Sequence, residues 1–557
     1  MFAFSWKERQ SAIDTCKARS TELLIIGGGV VGCSIAAHAA LLGLDCVLVE
    51  RNDFAAGTSG NSTGLAHAGL RYLAQGRFGY VFREARERLL LERLAPHWVQ
   101  PFPFLFPVFK GDPYGLFSIR LGTKLYDMIY RLATLGIGAY VGQRHREVTA
   151  SELVERVPGL ETQGLKGGTE YFVDARLSDS RFTLGFAQKA AEFGARVINH
   201  ASLVSFTESD GRLTGATLRD EVTQTLFPVL AQKIINATGP WIDEIRQLAG
   251  LTEPLLQNSK GIHLIVDRVA EYPLILSTHV RGQVFFIIPI GRRLSLVGTT
   301  DTPYAGSPDD AVPAASDVAE LVGHLFRFFP KLRPKADTPE KEVRQYEKEH
   351  LHEVYWGLRP LLRQKTSTLR ASREHRLYKE AKGLWSAPGV KLTAGRIAGV
   401  QMAREAWNDL RGTAPPRRAL VTLPGGEFGD FRSYVMQARA KMGVYSDDQL
   451  KYLIGRYGTL YTEVLHWADR DPGYRDKVLA EEHWMYAEVA YAAHHEMALT
   501  LNDFLWRRVR WARLRDLPDS TVQKIAEILG QYLKWSKQDV QKQVESFKQE
   551  LRAHRRS

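Results

Sequence analysis

A ten-residue stretch near the N-terminus, LLIIGGGVVG at positions 23–32, constrains the fold of this chain more than any other segment. Its first four residues form a short apolar run, which is typical of a buried parallel strand. Apolar residues then recur at helical spacing through position 42, and a second apolar run at 46–49 predicts another strand. Strand, helix and strand in this order predict a βαβ unit, and therefore an α/β fold.

Three glycines, Gly27, Gly29 and Gly32, join the strand to the helix with the spacing G-x-G-x-x-G. In nucleotide-binding units they allow a tight turn, a close backbone approach to a pyrophosphate, and close packing of helix on strand. Glu50 follows Gly32 by 18 residues, where a carboxylate is expected to accept from a ribose hydroxyl. The motif predicts a dinucleotide site without deciding between NAD and FAD. A tight glycine turn without a ligand is the alternative.

The following segment, 51–64, is rich in small and hydroxylated residues, among them Thr58 and Ser59. We expect it to run over the ligand and offer N–H and hydroxyl donors; a flexible surface loop is the alternative. Further along, a short apolar strand ends at Ala237, Thr238 and Gly239. This tight turn predicts that the chain leaves the nucleotide domain and later re-enters it.

The composition of the 557 residues, 44% hydrophobic and 24% charged, is that of a globular protein with several domains. No apolar run approaches the roughly 20 residues that span a bilayer. Residues 1–20 lack the apolar segment of a secretory signal. The three cysteines lie within the first 46 residues without disulfide or metal-ligand spacing. We therefore expect reduced thiols, no metal and a cytosolic location.

The net charge is +12, and residues 501–557 hold 13 Lys/Arg against 7 Asp/Glu. Nucleic acid, an anionic membrane surface or an anionic substrate would each suit a basic protein. For the basic tail, a solvated surface is an equally good interpretation. No nucleic-acid recognition motif accompanies the charge, so we do not expect nucleic-acid binding.

Patterns beyond the nucleotide motifs predict two further domains. Strands at 262–266, 284–288 and 294–299 predict a separate sheet that covers the cofactor and shapes a substrate pocket. Within 1–415, we assign the nucleotide domain to about 20–110, 165–250 and 380–412, and the inserted substrate domain to about 111–164 and 251–379. A linker at 416–430 leads to a helical domain at 431–557, in which 486–510 is expected to be one helix.

One amphipathic stretch has two interpretations. Its apolar stripe consists of Leu121, Leu125, Met128, Ile129 and Leu132. We expect this stripe to face the core, although a helix lying in a membrane interface shows the same pattern.

Several separated motifs match one family in the same order. The chain resembles the respiratory, quinone-linked, FAD-dependent glycerol-3-phosphate dehydrogenases. The matching segments lie at 27–32, 53–59, 67–73, 235–241, 260–263, 297–302, 357–360, 391–393 and 487–508.

The resemblance implies a glutathione-reductase-like FAD-binding Rossmann domain, interleaved with an antiparallel substrate sheet and followed by an all-helical C-terminal domain. It implies oxidation of sn-glycerol 3-phosphate to dihydroxyacetone phosphate by hydride transfer to FAD, with electrons passed to membrane quinone. Bacterial members are peripheral on the inner face of the cytoplasmic membrane and often dimeric. We therefore expect an anionic membrane surface and a second copy of the chain among the partners.

The resemblance also implies roles on the substrate side. Arg71 and Arg359 match the family's substrate-binding arginines, and a guanidinium suits a phosphate because it donates two parallel hydrogen bonds. His263 matches a histidine that we expect to be the general base. Tyr72 is expected to line the pocket. The alternatives are structural salt bridges for the arginines, a satisfied sheet histidine, and simple aromatic packing.

The segment Lys391, Leu392 and Thr393 matches the family's Lys-Leu-Thr beside flavin and substrate. We expect Leu392 and Thr393 to contact the cofactor, and Lys391 and Thr393 to contact the substrate. A cation at Lys391 would stabilise negative charge that develops on the reduced flavin.

The chain departs from the family at four positions, which bear on the substrate. The family has Lys in place of Gly64, Gly in place of Ala68, Gly in place of Val390 and Tyr in place of Gly395. Two other functions therefore stay open. One is an oxidase or a dehydrogenase of another hydroxy compound with the same fold, and the other is a redox-silent flavin-binding module.

Overall fold

The computed structural model describes residues 4–67, 69–73, 75–137, 143–278, 280, 283–363, 377–442 and 445–555; of these, the Arg71 side chain is left out. The strands in this part of the chain are β1 (Thr21–Ile26), β2 (Cys46–Val49), β3 (Leu65–Ala66), β4 (Val99–Pro101), β5 (Phe104–Phe109), β6 (Arg146–Val148), β7 (Leu165–Tyr171), β8 (Ala175–Leu177), β9 (Arg196–Ile198), β10 (Ala201–Ser209), β11 (Arg212–Asp220), β12 (Leu226–Asn236), β13 (Leu256–Asp267), β14 (Leu274–Ser277), β15 (Val284–Ile290), β16 (Leu294–Gly298), β17 (Thr302–Tyr304), β18 (Leu351–Leu362), β19 (Tyr378–Lys379) and β20 (Leu384–Ser386).

The α-helices are α1 (Trp6–Ala18), α2 (Val30–Leu42), α3 (Leu70–Leu73), α4 (Phe78–Leu94), α5 (Leu116–Ala133), α6 (Ala150–Arg156), α7 (Asp179–Glu192), α8 (Ile242–Leu248), α9 (Ala315–Phe328), α10 (Pro339–His350), α11 (Gly395–Arg411), α12 (Phe431–Lys441), α13 (Asp447–Tyr457), α14 (Tyr461–Arg470), α15 (Ala487–His495), α16 (Trp511–Leu514), α17 (Asp519–Leu533) and α18 (Lys537–His554). In the part of the chain described, none of these helices is both long enough and apolar enough to cross a bilayer.

The first sheet carries the nucleotide motifs. Strands β20, β12, β1, β2 and β9 run parallel in this order, and β10 and β11 extend β12 as antiparallel neighbours. The carboxyl ends of parallel strands meet at one edge of a sheet, where α/β proteins bind their ligands. Gly27, Glu50 and Ala237, the residues that follow β1, β2 and β12, therefore lie together.

The second sheet is mostly antiparallel and has the order β17-β13-β16-β15-β14-β5-β7-β6, with β18 on the free side of β13. The helices α12 to α18 follow in the C-terminal part, around a core of their own. The predicted architecture of a parallel nucleotide sheet, a second sheet and a helical C-terminal domain is confirmed.

Three local predictions differ from the structure. Strands β5 and β7 fall within segments assigned to the nucleotide domain, but both pair in the second sheet. The segment 486–510 is not one helix: α15 ends at His495, and a π-helical turn follows at Asp503–Arg508. The Asp503 carboxylate accepts from the N–H groups of Leu499 and Thr500, which starts this new turn.

The expectation that the α5 stripe faces the core is wrong for most of its residues. Leu121, Met128 and Leu132 are 55%, 53% and 49% exposed, and only Ile129 is buried. The helix buries Tyr126, Tyr130 and other residues of an adjacent stripe instead. Periodicity showed that α5 is amphipathic, but the packing partner decided which stripe is covered.

Two glycines on α11 allow this helix to pack directly on α2. A Cβ at Gly395 would lie 2.5 Å from Val30 Cγ2, and a Cβ at Gly399 would overlap Ser34 Oγ. The close packing brings the N-termini of both helices to the same edge of the nucleotide sheet.

We expect Gly399→Ala to destabilise the protein by about 1–3 kcal/mol, the usual cost of overpacking a well-packed contact. Gly323→Ala is the matched control, because a Cβ at this exposed position on α9 meets no atom within 4 Å. The control should be neutral or stabilising by up to about 1 kcal/mol, as glycine is a poor helix former. Denaturant unfolding of both variants measures the difference, and equal stabilities would contradict the packing argument.

Candidate active site

A cavity of about 1070 Å³ lies at the carboxyl edge of the nucleotide sheet and extends to the second sheet. The predicted cofactor residues on its wall are Gly27, Gly29, Glu50, Thr58, Ser59, Ala237, Thr238, Gly239, Leu392 and Thr393. Tyr72, Arg359 and Lys391 of the predicted substrate side also line it. The structure therefore brings most of the predicted site to one cavity.

The glycine turn has the tight geometry that its spacing predicts. Gly27 has a φ of +112°, which L side chains rarely adopt, and a Cβ there would lie 2.5 Å from the carbonyl oxygen of Ala237. A Cβ at Gly32 would overlap the carbonyl oxygen of Gly27. Gly29 precedes α2 and has no side chain of its own to cap the helix, so the start of α2 comes close to the cavity wall.

Glu50 contacts the same turn from the end of β2. Its carboxylate accepts hydrogen bonds from the N–H of Gly28 at 2.5 Å and the N–H of Asn52 at 2.8 Å. Burial raises the pKa of Glu50, although both N–H groups oppose that shift. Each carboxylate oxygen has a second lone pair, so the group can also accept from a ribose hydroxyl.

The hydroxyl-rich loop runs between the glycine turn and the second sheet. Ser59 Oγ accepts from the N–H of Val30 at 2.9 Å, and Thr58 Oγ1 donates to the carbonyl of Leu358 at 2.6 Å. The Ser59 hydroxyl thus caps α2 and keeps a proton to donate to a ligand.

The re-entry turn after β12 lies beside the glycine turn on the cavity wall. The N–H of Ala237 donates to the carbonyl of Ile26 at 2.8 Å, and Thr238 Oγ1 donates to Asn236 Oδ1 at 2.7 Å. Gly239 has a φ of +60°. A helical turn at Leu392–Ala394 leads into α11 and adds a second helix N-terminus to the wall.

Arg359 presents a guanidinium from β18. Its Nη2 donates to Thr299 Oγ1 at 2.9 Å and to the carbonyl of Thr300 at 3.0 Å, and its Nη1 lies 3.4 Å from Asp301 Oδ1. The same three residues line the cavity. Their contacts therefore fix the plane of the guanidinium at the cavity wall. Arg71 lies on α3, but its side chain is outside the described residues.

Lys391 lies at the start of the turn that leads into α11. Its ammonium is 4.2 Å from the ring centroid of Tyr72, 5.0 Å from that of Tyr80 and 4.0 Å from Glu84 Oε2. Two aromatic rings and a carboxylate, all groups that attract a cation, thus surround this buried ammonium. Burial raises the pKa of Glu84, and the nearby Lys391 charge opposes that rise.

His263 does not line the cavity. It is 3% exposed, its ring is stacked on Tyr355 at 4.7 Å, and its Nε2 lies 2.9 Å from Thr63 Oγ1. Thr63 does line the cavity, so His263 reaches the site only through this hydroxyl. Burial, together with the charges of Arg359 and Arg513, lowers the pKa of His263 to about 3. Its role as the general base remains a prediction.

Comparison with known proteins places the chain in a family. A family model described as FAD dependent oxidoreductase matches residues 22–404, and one described as C-terminal domain of alpha-glycerophosphate oxidase matches residues 419–540. Glycerol-3-phosphate dehydrogenase 2 of Mycobacterium tuberculosis is 34% identical over 94% of this chain and 87% of its own length. The aerobic glycerol-3-phosphate dehydrogenase of Staphylococcus saprophyticus is 31% identical over 91% and 89%.

The chain belongs to the FAD-dependent glycerol-3-phosphate dehydrogenase family. Among solved structures, the glycerol-3-phosphate dehydrogenase from Bacillus halodurans, complexed with FAD, superposes with a TM-score of 0.77 at 25% identity. The match covers 99% of this chain and 98% of that one.

FAD is the cofactor of this family, and the residues described here fit it. Gly29 and the start of α2 line the cavity and would face the pyrophosphate, with the Ser59 hydroxyl beside them as a further donor. Glu50 would accept from the ribose. Leu392 and Thr393 would contact the flavin end from the second helix N-terminus.

Two of the four departures from the family pattern have local explanations in the structure. Gly395 has no room for a tyrosine because Val30 of α2 occupies the space. Gly64 has a φ of +68°, which favours glycine over lysine. Val390 lines the cavity as a branched side chain, and Ala68 lies outside the described residues.

His67 is a cavity-lining residue that the sequence arguments passed over. It lies three residues after Gly64, inside the matched segment 67–73. Its position at the start of that segment is the sequence signal for a role at the site. Among the described wall residues, His67 is the one imidazole.

Proposed function

We propose that this protein oxidises sn-glycerol 3-phosphate to dihydroxyacetone phosphate, with FAD as the first electron acceptor and membrane quinone as the second. The supporting observation is that two cations, Arg359 and Lys391, line the same cavity as the FAD-binding glycine turn. A small dianionic substrate needs such cations beside the redox cofactor. The names of the relatives over nearly the full chain support this substrate.

The guanidinium of Arg359 is the proposed phosphate ligand. Thr299 and Thr300 fix its plane, and a fixed planar fork binds phosphate oxygens with less loss of conformational freedom than a lysine would. Lys391 adds a second positive charge at the wall, where it stabilises negative charge that develops during oxidation.

Oxidation of a secondary alcohol removes a hydride from the carbinol carbon and a proton from the hydroxyl. Bound FAD supplies the two-electron acceptor for the hydride. We assign the proton to the imidazole of His67, because His67 lines the cavity and His263 does not. His263 would instead hold the Thr63 hydroxyl in place.

Arg359→Lys should raise KM for glycerol 3-phosphate at least about tenfold, because a lysine lacks the bidentate fork. FAD retention should change little. Steady-state kinetics with an artificial electron acceptor measure KM, and anaerobic titration with glycerol 3-phosphate, read by the flavin absorbance, measures the retained FAD and its reduction in wild type and variant.

The same titration tests the assignment of substrate. No bleaching of the wild-type flavin at saturating glycerol 3-phosphate would contradict the proposed function and would favour a redox-silent flavin-binding module. If Arg359→Lys lowers FAD retention as much as it weakens binding of glycerol 3-phosphate, the arginine has a structural role.

His67→Asn should lower kcat by about 10²–10⁴-fold, the usual contribution of a general base. His263→Asn should lower it much less. The pH profile of kcat/KM separates the two imidazoles further. Because the pKa of His263 is about 3, a His263 base would keep kcat/KM constant down to about pH 4. If kcat/KM stays constant down to that pH and kcat falls strongly in His263→Asn but not in His67→Asn, His263 is the general base.

The path to quinone rests on the exposed apolar face near the cavity. Phe78, Phe117 and Leu121 line the cavity and are also 50%, 78% and 55% exposed. They continue into Met128 and Leu132 on the exposed stripe of α5. We propose that this face lies in the surface of the cytoplasmic membrane, so that a lipid-soluble acceptor reaches the cavity without crossing water.

The variant Leu121→Glu/Met128→Glu should bind anionic lipid vesicles at least about tenfold more weakly, since burial of each apolar side chain contributes roughly 1.5–3 kcal/mol. Met436→Glu is the control, because this residue is 63% exposed on α12 of the C-terminal domain and does not line the cavity. Vesicle sedimentation measures the binding. Equal vesicle binding by the double variant and wild type would contradict the assigned membrane surface.

The electron acceptor is tested separately. Peroxide production on addition of glycerol 3-phosphate and oxygen would identify an oxidase instead of a quinone-linked dehydrogenase.

A further inference from the structure

The loop that lines the FAD cavity is held from its other side by the C-terminal domain. This loop, residues 52–63, is called the FAD loop below. Four arginines reach it from the end of the π-helical turn and the residues that follow, and we call them the arginine row: Arg507, Arg508, Arg510 and Arg513. None of the four belongs to the cavity wall that the structure describes.

Asp53 anchors the start of the FAD loop. Its carboxylate is fully buried and accepts from Arg508 Nη1 at 2.5 Å, Arg508 Nη2 at 2.9 Å and Arg507 Nε at 2.8 Å. Asn199 Nδ2 adds a fourth hydrogen bond at 3.1 Å. A buried carboxylate in this bidentate geometry holds its backbone firmly, because any displacement would leave a charge unpaired.

Arg510 holds the far end of the loop. Its Nη2 donates to the carbonyl of Gly60 at 2.6 Å, to Ser180 Oγ at 2.7 Å and to Asp179 Oδ1. The other oxygen of Asp179 accepts from the N–H of Ser62 at 3.2 Å and from Ser62 Oγ at 2.7 Å. Arg510 therefore supports two loop residues, one directly and one through a buried carboxylate.

The backbone at Arg510 is itself unusual. Its φ of +57° and ψ of +25° place an arginine in the left-handed region that favours glycine. Strained backbone of this kind persists where the surrounding contacts compensate for it. Arg513 adds a separate contact, because its Nη2 donates to Asn61 Oδ1 at 2.5 Å.

The FAD loop needs external support because of its composition. Its cavity side is made of small or hydroxylated residues: Ala56, Gly57, Thr58, Ser59, Ser62 and Thr63. Such side chains bury little apolar area, so they contribute little hydrophobic stabilisation of their own. Phe54, the one large apolar residue of the loop, is buried in the core near its start. The order of the cavity side therefore depends mainly on polar contacts, and the arginine row supplies many of them.

A metal site at this place is not supported. Asp53, His200 and Asp503 come within 4.8 Å of one another, as metal ligands would. However, Arg507 donates to both carboxylates and Arg508 donates to Asp53. The two guanidinium groups therefore already balance the negative charge of these carboxylates, which a metal ion would otherwise have to do.

We propose that the arginine row positions the FAD loop, so that FAD affinity depends on side chains of the C-terminal domain that do not touch the cofactor. The proposal rests on FAD binding, which characterises the family, and not on the identity of the substrate. Loss of one arginine should lower the fraction of molecules whose loop is competent to bind FAD. If that fraction falls to about one tenth, the apparent dissociation constant rises about tenfold.

The test compares Arg510→Gly and Arg513→Gln with the control Arg246→Gln in the full-length protein. Glycine accepts the left-handed backbone at position 510, so this variant removes the side-chain contacts and also relieves the strain. Arg246 is likewise a buried arginine, paired with Glu380 at 2.7 Å, but it does not contact the FAD loop. Fluorescence titration of the apoprotein with FAD gives the dissociation constants, and melting with and without FAD gives the stabilities.

The expected result is a dissociation constant for FAD at least about tenfold higher in both row variants, with wild-type affinity in Arg246→Gln. Apoprotein melting temperatures of the row variants should fall no further than that of the control, whereas FAD should raise them less than it raises wild type. FAD affinities within twofold of wild type would overturn the proposal. So would an equal loss of affinity in Arg246→Gln, because the arginines would then be general stabilisers.

Discussion

Asp53 lies fully buried between the guanidinium groups of Arg507 and Arg508, at the start of a loop that contributes little apolar surface. Beyond the buried Phe54, such a loop has few apolar side chains to bury, so its polar groups need hydrogen-bond partners from other segments. The arginine side chains of the C-terminal domain donate such hydrogen bonds from one side. The cofactor cavity consequently depends on residues that lie more than 450 positions apart in the sequence.

The same loop joins the cofactor half of the site to the substrate half. Thr58 donates to the carbonyl of Leu358, the neighbour of Arg359, and Thr63 contacts His263 on β13. Tyr355 is stacked on His263, and its hydroxyl donates to the carbonyl of Ser62. The centroid of its ring lies 4.1 Å from the guanidinium carbon of Arg513. A displacement of the loop would therefore alter flavin and phosphate contacts together.

Local patterns predicted those parts of the fold that local physics controls. The glycine turn, Glu50 and the turn at Ala237 could be brought together from sequence, because parallel strands end at a shared edge. The stripe on α5 and the partners of β5 and β7 could not. An amphipathic helix shows two faces without stating which one a neighbour covers, and an apolar strand does not identify its sheet. His263 matched a motif, but Thr63 stands between its ring and the cavity.

The nucleotide motif could be recognised in the sequence alone, since glycine spacing, strand length and the position of one acid follow from backbone geometry over 28 residues, from 23 to 50. The family resemblance added Arg359 and Lys391, which line the same cavity. The tertiary structure decided which imidazole meets the cavity, which face of α5 stays exposed and which domain supports the FAD loop. Each of these depends on a contact between distant segments, and such contacts have no local signature because any buried carboxylate can accept any arginine that the fold brings to it.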